Sequence, residues 1–350
     1  RPLVSSIAFT CERVWQQEKS LGLKSLDRLS SFQTNNKALF RQAASYEYGY
    51  RMLPGECLGS WEDLDRAAQA YADLEYGVWL KFPTGSGGDL VYHVNRVSSE
   101  FLYEGVNRIR DNVVSALSQG KFDTDGNTFW PKKEFCPEDF SLVVESDARN
   151  CGEVLINGST QFLTGKNRKV LVVGHFEQIT TEQGEYLGNR PLNPTDTVEE
   201  SLLEQVRRVA EYSYCTNQYY GIQGVDWFLI RDKAGKIEPY VVELNSRPTA
   251  NTPPVIIAAK LGAKHWINTN VYTDRQIIDI GDYLDVVGRD LALGNIEDGL
   301  VVPQSFRTLV TRRKVFPSPD FKVLILGTSS DHCNQIMEKL GERSIRFAPE

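Results

Sequence analysis

DWFLIRDKAGKIEPYVVELNSRP, residues 226–248, is the stretch whose reading decides the fold. Two apolar runs flank the turn-like Lys233-Ala234-Gly235-Lys236, so the segment reads as a β-hairpin. Asp226 lies on the first strand. Glu243 and Asn245 lie on the second, two residues apart, which turns both side chains to one side of the sheet. The hairpin brings Asp226 beside them. Two carboxylates and an amide oxygen converging on one face form a hard-oxygen site of the kind that suits Mg²⁺, which keeps waters and takes further ligands from nucleotide phosphates. Arg247 follows in the same alternation and offers a planar fork to a phosphoryl or carboxylate oxygen. Taken alone, the pattern also fits an ordinary solvent-facing hairpin. The apolar lead-in Val241-Val242 and the proline turn after Arg247 favour the first reading.

Upstream, GVWLKFPTGSGGDL (residues 77–90) places Lys81 at the end of a short apolar strand and follows it with Gly85, Ser86, Gly87 and Gly88. Glycines let backbone N–H groups approach phosphate oxygens, and a lysine just before such a loop can neutralise them. A flexible hairpin loop is the alternative. The dinucleotide pattern G-x-G-x-x-G fails because Leu90 stands at its last position. LTGKNRK (residues 163–169) is not a Walker A loop, because Thr160 replaces the first glycine and Asn167 the closing Ser or Thr. FSLVVES runs from an apolar strand into Glu145, Ser146 and Asp147, a polar hinge that can present backbone groups to a base edge or be a plain strand end.

Around these motifs the chain alternates strands and helices. A helix is expected from Lys37 to about Tyr50, a second from the Ser60/Asp63 capping pattern to about Leu74, and a third over residues 97–119. CGEVLIN, STQFLTG and RKVLVVGHFEQIT read as an antiparallel meander, and VEESLLEQVRRVAEYSYC as an amphipathic helix. TPPVIIAAKLG opens another helix with prolines near its start. FKVLILG is a strand leading into HCNQIMEKLG. The class is α+β.

Composition sets outer limits. The 350 residues are 41% hydrophobic and 24% charged, ordinary for a globular protein, with a formal net charge of −7. That balance argues against a nucleic-acid-coating role. No apolar run is long enough to span a bilayer, and no membrane partner is expected. Six cysteines lie singly, with no C-x-x-C pair, and four histidines are dispersed. Reduced thiols, a cytoplasmic setting and no zinc site are therefore expected. The chain opens on Arg1 with no signal-peptide pattern, and further residues upstream are expected.

In this order, NNKALFR with Lys37, the Lys81 strand with its glycine loop, the VVES hinge and the GVDWFLI…VVELNSRPT pair resemble the ATP-grasp family over roughly residues 32–260. VELNSRPT, close to that family's E-x-N-x-R pattern, is the most specific part. The resemblance implies an ATP-grasp fold with two α+β subdomains gripping the nucleotide. It implies a truncated or absent N-terminal Rossmann-like subdomain and a small C-terminal module. The expected boundaries are 1–36, 37–150, 151–270 and 271–350. It implies ATP and Mg²⁺ as cofactors. Lys37 and Lys81 would hold phosphates, with Gly85, Ser86, Gly87 and Gly88 as the closing loop. Glu145, Ser146 and Asp147 would form the adenine hinge, and Glu153 would hold the ribose. Asp226, Glu243 and Asn245 would hold the metal, and Arg247 would steady an acyl phosphate. His175 and Arg190 flank a turn-rich loop and are candidates for substrate contact. The implied activity is an ADP-forming ligase that joins a small-molecule carboxylate to an amine. A kinase, a carboxylate–thiol ligase and a non-catalytic ATP-binding regulatory module stand as alternatives. A peptide or carrier protein as substrate and a homodimer are compatible with the resemblance.

Overall fold

The computed structural model describes residues 36–83, 90–118, 142–180, 186–217, 219–275, 277, 280–305 and 320–347. Gly85, Ser86, Gly87 and Gly88 lie outside the described residues, as does the segment before Asn36. The described residues fall into two compact units. The first holds those up to Val173 together with Pro194–Pro248, and the second holds Gly174–Asn193 and those from Thr249 onward.

The first unit opens with α1 (Lys37–Ala43), capped by Asn36, whose side-chain oxygen accepts from the amides of Ala38 and Leu39. A π-turn, Ala44–Tyr48, prolongs it until Gly49 takes a left-handed conformation. Next come β1 (Gly55–Leu58), α2 (Trp61–Ala70), β2 (Val78–Lys81), β3 (Val91–Val94), α3 (Ser99–Ser118) and β4 (Leu142–Ser146). The expected cap of α2 is present: Ser60 Oγ accepts from the Asp63 amide at 3.1 Å. The four strands form an antiparallel sheet in the order β1-β4-β2-β3. Strand alternation sends Val78, Leu80, Leu142 and Val144 into an apolar layer with Leu64 and Ala67 of α2 and Leu102 and Val106 of α3. The same alternation turns Lys81 and Glu145 to the other face.

The unit continues with β5 (Glu153–Thr164), α4 (Asp196–Asn217), β8 (Gly221–Arg231) and β9 (Ile237–Asn245), in which β8 pairs antiparallel with both β5 and β9. The sequence suggests two strands over residues 151–165, but the structure has one. Gly158 makes no turn here. A Cβ on it would lie 2.3 Å from the Trp227 ring, so glycine leaves room for that indole in mid-strand. α1 is held from behind by aromatic packing: Phe40 stacks on Tyr50 at 4.6 Å and meets Tyr212 of α4 edge-on at 5.4 Å.

β6 (Val170–Thr180) carries the chain from the first unit into the second, which continues with β7 (Tyr186–Leu192), α5 (Thr252–Leu261) and β10 (His265–Thr273). Then follow α6 (Ile280–Val287), α7 (Arg289–Ala292), β11 (Leu300–Ser305), β12 (Asp320–Gly327), α8 (Ser330–Glu342) and β13 (Ile345–Arg346). Its strands run β11-β12-β10-β7-β6, with β13 on β10. One face packs Ile267, Val271, Val323 and Ile325 against α6, α7 and α8. The other sets Phe176, Trp266, Leu324 and Leu326 against Ala258 of α5.

Candidate functional site

Four elements of the first unit bring charged side chains together. Lys37 and Arg41 are four residues apart on α1 and share a face of that helix. Lys37 Nζ lies 3.1 Å from Glu243 Oε2 on β9. Arg41 reaches Glu145 on β4 and donates a second hydrogen bond to the Leu53 carbonyl at 2.9 Å. Lys81 on β2 binds the other oxygen of Glu145. Gly55 is what lets Arg41 pass, since a Cβ there would meet the Val144 carbonyl oxygen at 2.4 Å and Arg41 Nη1 at 2.9 Å.

On the β8–β9 hairpin, Asp226 stands directly opposite Glu243, and a β-bulge follows at once. Bulges re-aim side chains and gather beside functional sites. Asn245 Nδ2 donates to Asp226 Oδ2 at 3.1 Å, and Arg247 donates to Asn245 Oδ1. Ser159, opposite Asp226 on β5, adds a further hydrogen bond. Burial, and then the neighbouring Glu243 carboxylate, push the Asp226 carboxyl up to about 7. Burial works on Glu243 in the same direction, but Lys37 first and then Arg247 outweigh it and hold Glu243 below the usual carboxylate range. The site therefore joins Lys37, Arg41, Lys81 and Arg247 with Glu145, Asp226, Glu243 and the Asn245 amide.

The hinge residues have other partners. Glu145 is 2% exposed and neutralises Lys81 and Arg41. The amides of Ser146 and Asp147 already donate to Pro54 and Gly77 carbonyls. Asp147 accepts from Arg149 at 2.8 Å and from Trp79 at 3.0 Å, with His93 at 3.2 Å. These contacts outweigh its burial and keep its carboxyl well below the usual range. Glu153 sits exposed at the start of β5, 2.6 Å from Arg231.

His175 and Arg190 belong to the second unit. His175 is buried on β6, and Arg190 pairs with Glu177 at 2.8 Å across β6 and β7. Alternation places both on the face that carries Ile179 towards the α6–α8 layer. Sequence reasoning missed Arg41 and Ser159. The helical spacing from Lys37 was the available signal for Arg41; Ser159 had none, since only the pairing of β5 with β8 sets it against Asp226.

No known family model matches the sequence, and no curated protein does. Solved structures do match. One is the N5-carboxyaminoimidazole synthase of Aspergillus clavatus in complex with ADP and 5-aminoimidazole ribonucleotide, at 13% identity over 98% of this chain and 81% of that one, TM-score 0.61. Another is biotin carboxylase from Campylobacter jejuni, at 12% identity over 95% of this chain and 72% of that one, TM-score 0.62. A third is the biotin carboxylase domain of Hydrogenobacter thermophilus 2-oxoglutarate carboxylase, at 14% identity over 95% of this chain and 71% of that one, TM-score 0.60. Identities this low speak to the fold and not to the substrate. The chain has the ATP-grasp fold.

Proposed function

We propose that the protein is an ATP-dependent, ADP-forming ligase that activates a carboxylate as an acyl phosphate and joins it to an amine. The observation that carries this reading is the convergence of Lys37, Arg41, Lys81 and Arg247 on Glu145, Asp226, Glu243 and Asn245. Lys37, Lys81 and Arg247 suit the oxygens of a polyphosphate and of an acyl phosphate. The donor set fits Mg²⁺: two carboxylates and an amide oxygen leave positions for phosphate oxygens and water. Among the described residues no three His, Cys, Asp or Glu side chains gather to hold a metal alone. When bound, Mg²⁺ would neutralise phosphate charge there.

Lys37 and Lys81 would hold phosphate oxygens, and Arg41 would keep Glu145 and Lys81 in place. Arg247 would stabilise the charge that develops on the transferred phosphoryl group. The substrate carboxylate displaces ADP at the terminal phosphorus. The amine then attacks the acyl carbon, loses a proton and expels phosphate. Positioning and charge stabilisation dominate such chemistry. The resemblance of VELNSRPT to the family motif supports the reading. So do the ligands of the solved neighbours, which were complexed with ADP and 5-aminoimidazole ribonucleotide or with MgADP and bicarbonate. Bicarbonate therefore belongs among the acids to be screened.

The test is ADP release over a matrix of carboxylic acids, bicarbonate and amines. Release should need both an acid and an amine. Glu243→Ala and Arg247→Ala should each lower it by roughly a hundredfold or more, the scale of losing one group that stabilises developing charge. Near-normal turnover in Glu243→Ala protein would remove the metal assignment, and release with an acid alone would point to a kinase.

A further inference from the structure

One face of the second unit's sheet changes character along its strands. Under α5 it carries Phe176, Trp266, Leu324 and Leu326. The next positions of the same alternation carry Asn268 and Asn270 on β10, Lys322 on β12 and Asn189 on β7. Asn189 and Asn268 are both 0% exposed. Burying amides here costs free energy and adds nothing to the packing that Leu324 and Trp266 already supply one step away.

These side chains form one connected cluster. Asn268 Nδ2 donates towards Asn189 Oδ1 at 3.5 Å and towards the Ala250 carbonyl at 3.4 Å. Asn189 donates to Asn251 Oδ1 and to the Tyr186 hydroxyl. Asn251 occupies the N-cap position of α5 but makes no side-chain cap to it. Lys322 Nζ lies 4.9 Å from the centre of the Tyr186 ring. Two polar functions are left over. Asn268 Oδ1 is a fully buried acceptor with no partner among the described residues. Lys322 has no carboxylate partner among the described residues, and burial lowers its ammonium to about 8.

We propose that this face binds a short amino acid, with its carboxylate on Lys322 and its amino group donating to Asn268 Oδ1. Lys322 stands opposite Asn270, so Asn268 is its diagonal neighbour, with bases about 7–8 Å apart. A molecule with its two charged ends a few bonds apart spans that distance. Asn189 Oδ1 and the Ala250 carbonyl take up the Asn268 Nδ2 donor, so Oδ1 is the function of that amide with no partner among the described residues. The inference does not require the ligase reading, and its test omits nucleotide and magnesium so that the two can fail separately.

The experiment is NMR of ¹³C-dimethylated protein, with the Lys322 resonance assigned from Lys322→Arg protein. The probes are glycine, β-alanine, γ-aminobutyrate and glutamine, with propionate and propylamine as single-ended controls. At least one amino acid should shift the Lys322 resonance saturably, with an apparent Kd at least tenfold below that of propionate. Asn268→Leu should weaken that binding tenfold or more while leaving propionate unchanged. No saturable shift with any amino acid, or equal affinity for propionate and the best amino acid, overturns the proposal. Wild-type titrations decide the matter alone if Asn268→Leu protein does not fold.

Discussion

Replacing Asp226 with Asn should stabilise the metal-free protein at neutral pH while removing its activity. Asp226 faces Glu243 across the β8–β9 pair, and burial followed by that carboxylate raises its carboxyl to about 7. In the unfolded chain an aspartate titrates near 3.9. The difference, about 3 units at ~1.4 kcal/mol each, sets an upper bound of about 4 kcal/mol. The sign follows from which state keeps the proton. Below pH ~4 both states are protonated and nothing is lost. Between pH ~4 and ~7 the unfolded chain releases a proton that the folded one retains, so wild-type stability falls as pH rises. Above ~7 the penalty is full. An asparagine keeps the shape and an acceptor for Ser159 but carries no charge, and it removes the repulsion from Glu243. We expect the Asp226→Asn protein to gain about 2–4 kcal/mol over wild type at pH 8, and little at pH 4.5. Urea unfolding in the presence of a chelator at both pH values measures the difference. A gap that is the same at both pH values, or a wild type that is the more stable at pH 8, would refute the reasoning. Adding MgATP should then stabilise wild type more than the variant, because the variant lacks one carboxylate of the donor set.

Glu145→Gln removes the buried carboxylate that Lys81 and Arg41 share, and should cost about 3 kcal/mol or more in urea unfolding. Adding Arg41→Met to that variant should recover part of the loss, since one uncompensated cation disappears with it. Gly158→Ala would place a methyl 2.3 Å from the Trp227 ring, and should destabilise by about 1–3 kcal/mol with a changed tryptophan emission.

What the sequence made legible follows the range of the interactions involved. Asp226, Glu243, Asn245 and Arg247 lie within one hairpin, where period-two alternation and a short turn fix which side chains meet, and they do meet. The α2 cap is equally local. The partners of Lys81 and Lys37 were not readable, because each depends on how separate elements dock. Glu145 is 64 residues from Lys81 and 104 from Arg41, and no spacing rule reaches that far. The split of residues 151–165 into two strands failed for a related reason. Gly158 looks like a turn when only its neighbours are considered, yet what it accommodates is Trp227, from a strand dozens of residues later. His175 and Arg190 lie on one face of that unit's sheet, and Asn268 and Lys322 lie on the other. Each of those two reads locally as an ordinary strand residue in HWINTNVYT or DFKVLILG. Only the antiparallel register that sets Lys322 against Asn270 turns them into neighbours with complementary needs. A site spread over several strands becomes visible through pairing, and pairing is the part of this fold that short-range pattern does not encode.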